Sequence, residues 1–163
     1  MEKKNVYLAL VLGGGVMFFG GRVTARSGSL SQKTQDHLST AMHGEAFAHA
    51  KYLLYAHQAR QHGDIELANL FRRTADTERF EHFAAEARLA GLVETDAENL
   101  RDAINGETYD VDTMYRVFAE QAAAAGDKVV ADRFEEIRRD ERKHRDAFKT
   151  ALVKIESNSP SGH

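Results

Sequence analysis

The chain has 163 residues, enough for one domain with appendages, and a formal net charge of −3 from 22 basic and 25 acidic side chains. It contains no cysteine, which excludes disulfides, iron–sulfur clusters, thiolate zinc sites and thiol nucleophiles. Its basic run Arg138, Arg139, Arg142, Lys143 and Arg145 interleaves with Glu135, Glu136, Asp140 and Glu141, the pattern of a solvated helix face, so no nucleic-acid partner is expected. The one proline is Pro160 and alternating β-type runs are missing, so the fold class is all-α.

Residues 1–25 come first and read as an N-terminal membrane anchor or signal-like segment. The stretch from Asn5 to Gly21 is uncharged, with Lys3 and Lys4 before it and Arg22 and Arg26 after it. As a helix it reaches about 25 Å, against a bilayer core of about 30 Å, and Gly13, Gly14 and Gly15 weaken it. A single uncleaved membrane anchor is expected, its side open because positive charge flanks both ends. The alternative is export after cleavage near Ala25, where Val23, Thr24 and Ala25 are small enough for a signal peptidase. Residues 26–33, rich in Ser and Gly, read as a tether.

Four helices follow. The first is expected from about Ser31 to Gln61, ended by Gly63, with Leu38, Ala41, Met42, Glu45, Ala48, Tyr52, Ala56 and Ala59 along one stripe. The second, from about Asp64 to Ala90 with Gly91 as its cap, turns Leu67, Phe71, Ala75, Glu78, Ala85 and Leu89 inward, with Glu81 and His82 close to the same seam. The third opens after Thr95 or Asp96 and continues to Ala125, its stripe being Leu100, Ala103, Glu107, Met114, Phe118 and Ala122. The fourth presents Val130, Phe134, Ile137, Glu141, His144, Phe148, Ala151 and Ile155, an apolar series interrupted by one Glu and one His. Residues 157–163 read as a disordered tail.

The helical part repeats itself. At an offset of 63, Ala56, Gly63, Asp64, Ala68, Phe71 and Glu78 match Ala119, Gly126, Asp127, Ala131, Phe134 and Glu141; nearer the start of each copy the offset is 62, pairing Leu38, Ala41, Gly44 and Glu45 with Leu100, Ala103, Gly106 and Glu107. Two helical hairpins of one design, forming a four-helix bundle, are implied. The second copy therefore gains one residue between Glu107 and Tyr115, an insertion that a helix absorbs as a π-bulge, and such bulges concentrate at functional sites. Short joints at Gly63 and Gly126 make antiparallel pairs. Whether the hairpins pair within one chain or exchange between two is open, and a homo-oligomer is expected.

The inward polar groups are Glu45, Glu78, Glu81, Glu107, Asp110, Glu141 and His144. In a four-helix bundle a dinuclear carboxylate site takes a Glu from each of two helices and a Glu-x-x-His pair from each of the others. Here one pair is Glu141 with His144 and the other is Glu78 with Glu81. So many carboxylates inside a bundle need cations to offset repulsion and desolvation, and oxygen-rich ligation favours two iron ions, with manganese second. Glu78 and Glu141 are expected to bridge the metals, Glu45 and Glu107 to cap one each, and His144 to complete one end. Glu81 takes the other end, ahead of His82, which is about 100° further round an α-helix. Asp110 reaches a metal through water. Tyr52 and Tyr115, at equivalent positions, either hydrogen-bond a ligand carboxylate or pack in the core. No catalytic residue beyond these ligands is expected.

These residues resemble the rubrerythrin branch of the ferritin-like superfamily. The resemblance rests on Gly44-Glu45 with Tyr52 seven residues on, on Ala97-Glu98-Asn99-Leu100 leading to Gly106-Glu107-Thr108-Tyr109-Asp110, and on Glu141-x-x-His144, over about residues 34 to 152. It implies a ferritin-like diiron domain at 34–156 whose non-haem iron pair reacts with peroxide or dioxygen in oxidative-stress defence. In that pattern Glu81 stands where a His is usual and Asp110 where a Glu is usual. The rubredoxin-like iron domain of classical members needs cysteines, so electrons would come from a separate donor protein. The leading expectation is an oxidoreductase that reduces hydrogen peroxide; the alternative is an iron-binding protein acting in ferroxidation, buffering or sensing with dioxygen; the third is a membrane-tethered adaptor whose site has lapsed.

Overall fold

The computed structural model describes residues 30–158. Helix α1 is Gln32–Gln61. Helix α2 is continuous through three parts: Ile65–Thr77, a π turn at Glu78–Phe83, and Ala84–Ala90. Helix α3 is Asp96–Tyr109, a π turn at Asp110–Met114, and Tyr115–Ala124, and α4 is Lys128–Asn158. No strand occurs among the described residues.

Local chemistry sets these ends. The Ser31 and Asp64 side chains accept from the amides of Thr34 and Leu67, and Thr95 with Glu98 forms a reciprocal capping box. The two sharp turns between helices fall at Gly63 and Gly126, with φ of +83° and +86°, a region that side chains with a Cβ avoid. Helix α1 starts inside the expected tether, and α4 runs to Asn158.

α1 packs along α2 and α3 along α4, as two antiparallel hairpins. The seams close mainly on alanines: Ala59, Ala68 and Ala75 with Met42 in the first, Ala119 and Ala131 with Val111 in the second. Equivalent ring clusters lie beside them, Tyr52 and Tyr55 with Phe71, and Tyr115 and Phe118 with Phe134. Among the described residues no Leu, Ile or Phe is buried, and no helix of the first hairpin packs on a helix of the second. The expected hairpins are present, each with one face open.

The expected membrane-anchored location is corrected. Among the described residues no helix is long and apolar enough to cross a membrane. Charged side chains recur along all four helices, whereas a span needs about 20 consecutive, predominantly apolar residues. The stretch behind that expectation, residues 1–25, lies outside the described residues, as does the alternative cleavage point near Ala25.

Gly126→Ala isolates the turn's torsional demand, because a Cβ there meets nothing within 4 Å. The expected loss is about 1–2 kcal/mol, read as a lower urea midpoint with unchanged slope.

Candidate metal centre

Each hairpin builds half of a site. In the first, Glu45 from α1 meets Glu78 and His82 from α2; in the second, Glu107 from α3 meets Glu141 and His144 from α4. The ligand atoms within each trio all lie within 4.8 Å of one another. His82 Nδ1 is 2.8 Å from Glu78 Oε2 and 3.8 Å from Glu45 Oε2, while His144 Nδ1 is 2.7 Å from Glu141 Oε2 and 3.8 Å from Glu107 Oε1. The two halves share one geometry. In both, the carboxylates are tucked into the seam while the imidazoles are more than half exposed on the open face, His82 at 51% and His144 at 57%.

The π turns produce this equivalence. His144 follows Glu141 by three residues in a regular α-helix, but His82 follows Glu78 by four. The wider π turn, which bonds residue i to i+5, brings the fourth residue round to about where the third stands in an α-helix. Beside each turn a backbone carbonyl also accepts a hydrogen bond from a side chain of the facing helix. His49 Nδ1 donates to the Ala75 carbonyl at 2.8 Å, and Arg138 Nε to the Val111 carbonyl at 2.7 Å. Because a carbonyl only accepts, His49 carries its proton on Nδ1. In repeat register His49 matches Val111 and Ala75 matches Arg138. The same pair of positions is used twice, with donor and acceptor reversed, because the bulge falls in α2 of one copy and α3 of the other.

Protonation records the crowding of charge. Burial pushes the Glu45 carboxyl above the ordinary glutamate range, helped by a hydrogen bond shared with Glu78 and by its charge. Burial and then the Glu141 charge do the same for Glu107, and for Asp110. The Tyr115 phenol is raised by burial first, then by Asp110, Glu141 and Glu107. Glu107 Oε2 is buried without a hydrogen-bond partner. Hard carboxylate donors, one imidazole per half and an orphaned buried oxygen together fit divalent cations of the iron or manganese type.

The structure brings together five of the seven expected ligands, Glu45 with Glu78 and Glu107 with Glu141 and His144. Asp110 opens the expected π turn in α3, close enough to Glu141 to feel its charge. Glu81 is exposed and belongs to neither trio, and the histidine of the first trio is His82. One signal for this was in the sequence: beyond Glu78 and Glu141 the repeat offset returns from 63 to 62, pairing His82 with His144 and Ala85 with Ala147. Glu86 was also missed; its Oε2 is buried without a partner and its charge acts on Glu45. Tyr52 stacks on Phe71 and Tyr115 packs on Phe134, so both rings belong to the seams.

Paired helical hairpins carrying matched carboxylate–histidine trios present the donor types found in helical bundles that hold two metal ions. The family model described as Rubrerythrin matches residues 36–152. Rubrerythrin of Porphyromonas gingivalis is 33% identical over 139 residues, covering 78% of this chain and 70% of that protein. Nigerythrin of Nitratidesulfovibrio vulgaris is 30% identical over 138 residues, covering 76% and 68%. A solved structure of nigerythrin in its fully reduced, all-ferrous state aligns with 27% identity and a TM-score of 0.40, covering 85% of this chain and 74% of that one. The chain belongs to the rubrerythrin family. It is thus a member of a family of diiron redox proteins, and two iron ions are the cofactor its two Glu/His groups could hold.

Two outcomes follow for the metal-free and metal-loaded forms. Glu45 and Glu107 bind protons more tightly folded than unfolded. Their contribution to stability is therefore full below the ordinary value of 4.5 and is lost as pH rises through their raised folded values. Melting temperature in chelator should fall as pH rises above about 4.5, and added Mn²⁺ should oppose that fall by replacing the protons. Separately, Arg138→Leu strips the Val111 carbonyl of its side-chain donor. A loss of about 1–3 kcal/mol is expected in urea unfolding, with weaker Mn²⁺ binding.

Proposed function

We propose that this protein reduces hydrogen peroxide at a carboxylate-bridged iron pair held by Glu45, Glu78, His82, Glu107, Glu141 and His144. The observation that carries the reading is the duplicated trio: two carboxylates and a histidine Nδ1, at matched distances, in both halves of a rubrerythrin-family chain. When bound, the iron pair supplies two electrons, which with two protons convert hydrogen peroxide into two waters.

The chain's own residues position and insulate that chemistry. Glu78 and Glu141, in equivalent places on α2 and α4, would be the carboxylates shared between the ions, and Glu45 and Glu107 would each hold one of them. His82 and His144 present Nδ1 to the ends, each already oriented by its neighbouring glutamate. Asp110 and the Tyr115 hydroxyl lie in the same field of charge, where a carboxyl and a phenol can hold protons for the departing oxygens. The ring clusters of Tyr52 with Phe71 and of Tyr115 with Phe134 pack in the same seams as the trios. These 163 residues hold no cysteine for a thiolate iron, and the electrons that reload the pair would come from a rubredoxin-like donor.

A second reading, iron handling with dioxygen and without peroxide turnover, is favoured by the additional carboxylates Asp110 and Glu86 beside the six ligands. Anaerobic loading with ferrous iron, followed by stopped-flow absorbance on mixing with peroxide or dioxygen, separates the two. Faster oxidation by peroxide, with about two irons per chain, supports the first; faster oxidation by dioxygen, or iron well beyond two, supports the second. Glu141→Ala should lose both ions, and two ions retained with native affinity would overturn its bridging role.

A further inference from the structure

We propose that two copies of this chain exchange hairpins, so that α1 and α2 of one close on α3 and α4 of the other. Each dinuclear centre is then built from Glu45, Glu78 and His82 of one protomer and the partner's Glu107, the partner's Glu141 and the partner's His144. This deepens the diiron reading and rests on it in treating the six side chains as one centre.

Four observations carry the exchange. The half-sites are formed, yet the hairpins of one chain do not touch, and no cluster of ligand atoms among the described residues mixes the two. The apolar faces beside the half-sites stay open: an uncovered groove of about 390 Å³ lies between α3 and α4, walled by Leu100, Ala103, Phe148 and Ile155. A two-helix layer must bury such a face against another layer.

The connection decides which layer that is. A ferritin-like pairing of two equivalent hairpins needs one crossover running the length of the bundle, about 39 Å for the 26-residue α2. Residues 91–95 fully extended reach no more than about 20 Å. They are also tied down at both ends. Leu92 N bonds the Ala87 carbonyl at the close of α2, while Glu94 and Asn99 exchange two hydrogen bonds at the start of α3. Nor does α3 fold back, since it makes no contact with the end of α2. The first hairpin's complement is thus out of reach in its own chain and within reach in a second copy. Because the exchange is reciprocal, it closes as a two-fold dimer with two complete centres.

The glycines point the same way. Gly44 and Gly106 lie mid-helix, one residue before Glu45 and Glu107, where each costs about 0.5–1 kcal/mol relative to Ala. A Cβ on either would meet nothing within 4 Å in the single chain. Close approach of a helix from the other hairpin supplies the missing reason, and supplies it at both equivalent positions.

Complementation between two damaged chains tests the proposal. One carries Glu45→Ala with Glu78→Ala, the other Glu107→Ala with Glu141→Ala, and the two are refolded together from urea. With exchange, half of the dimers are mixed and each holds one intact centre, so tightly bound Mn²⁺ should recover to about a quarter of the wild-type level. Without exchange every bundle keeps a damaged half, and no recovery overturns the proposal.

Sedimentation mass gives a readout free of metal. Wild type should run at twice 18.2 kDa, and about 20 Gly/Ser residues inserted after Val93 should convert it to a monomer by letting the hairpins close within one chain. A monomeric wild type, or a dimer indifferent to the insertion, overturns the exchange. A dimer that responds to the insertion but binds no Mn²⁺ upholds the exchange and sinks the diiron reading instead.

Discussion

Placing Glu45 against Glu78 and Glu107 against Glu141 in helix seams is the constraint on which the rest of this structure depends. Two carboxylates sharing a partly desolvated seam repel, and burial with that repulsion raises the carboxyls of Glu45 and Glu107, so that a proton relieves part of the cost more readily there than on an exposed glutamate. The neighbouring imidazoles meet another part through short Nδ1 hydrogen bonds. Both devices are replaceable by a dication, which attracts all the oxygens of a trio at once and needs Nδ1 free of its proton. The arrangement is therefore a set of groups whose repulsion is relieved by the cofactor of the family to which the chain belongs.

That constraint explains the irregular backbone. A regular α-helix through Glu78 would leave His82 off the seam, and the π turn brings it back. The bulge in α3 lies one turn beyond Glu107 and carries Asp110 at its start. Each irregularity is braced from the facing helix by a side-chain donor to a nearby carbonyl, His49 in the first hairpin and Arg138 in the second. The ligand trio, the bulge and its brace therefore form one unit per hairpin. The unit is complete within two helices, which is why half-sites exist without the rest of the bundle.

The small size of the core has a matching cause. Ala59, Ala68, Ala75, Ala119 and Ala131 let paired helices approach closely, which brings short-range ligand contacts into register but buries little apolar area. Apart from the ring clusters in the seams, many of the larger side chains, Phe47, Leu54 and Val153 among them, are exposed in the single chain and would contribute more if another layer covered them. Assembly and site completion are then one event, since the layer that covers the apolar face also brings the missing ligands.

The helices, their approximate starts near Ser31, Asp64 and Thr95, the turns at Gly63 and Gly126, and the α3 bulge were legible in the sequence. Each depends on interactions within about one helical turn, or on a repeat that can be counted. That Glu45 would meet Glu78, and Glu107 would meet Glu141 and His144, was legible because these residues interrupt apolar stripes at matching positions. His82 was ranked below Glu81 because a helical wheel assumes one uniform rotation per residue, and the π turn at Glu78–Phe83 breaks that assumption. Glu86 was hidden for the same reason, since it lies past the bulge. What only the tertiary structure decided is which helices meet: residues 91–95 are too short and too firmly capped at both ends to fold one half onto the other. Periodicity reports which face of a helix is apolar, and it carries no information about what covers that face.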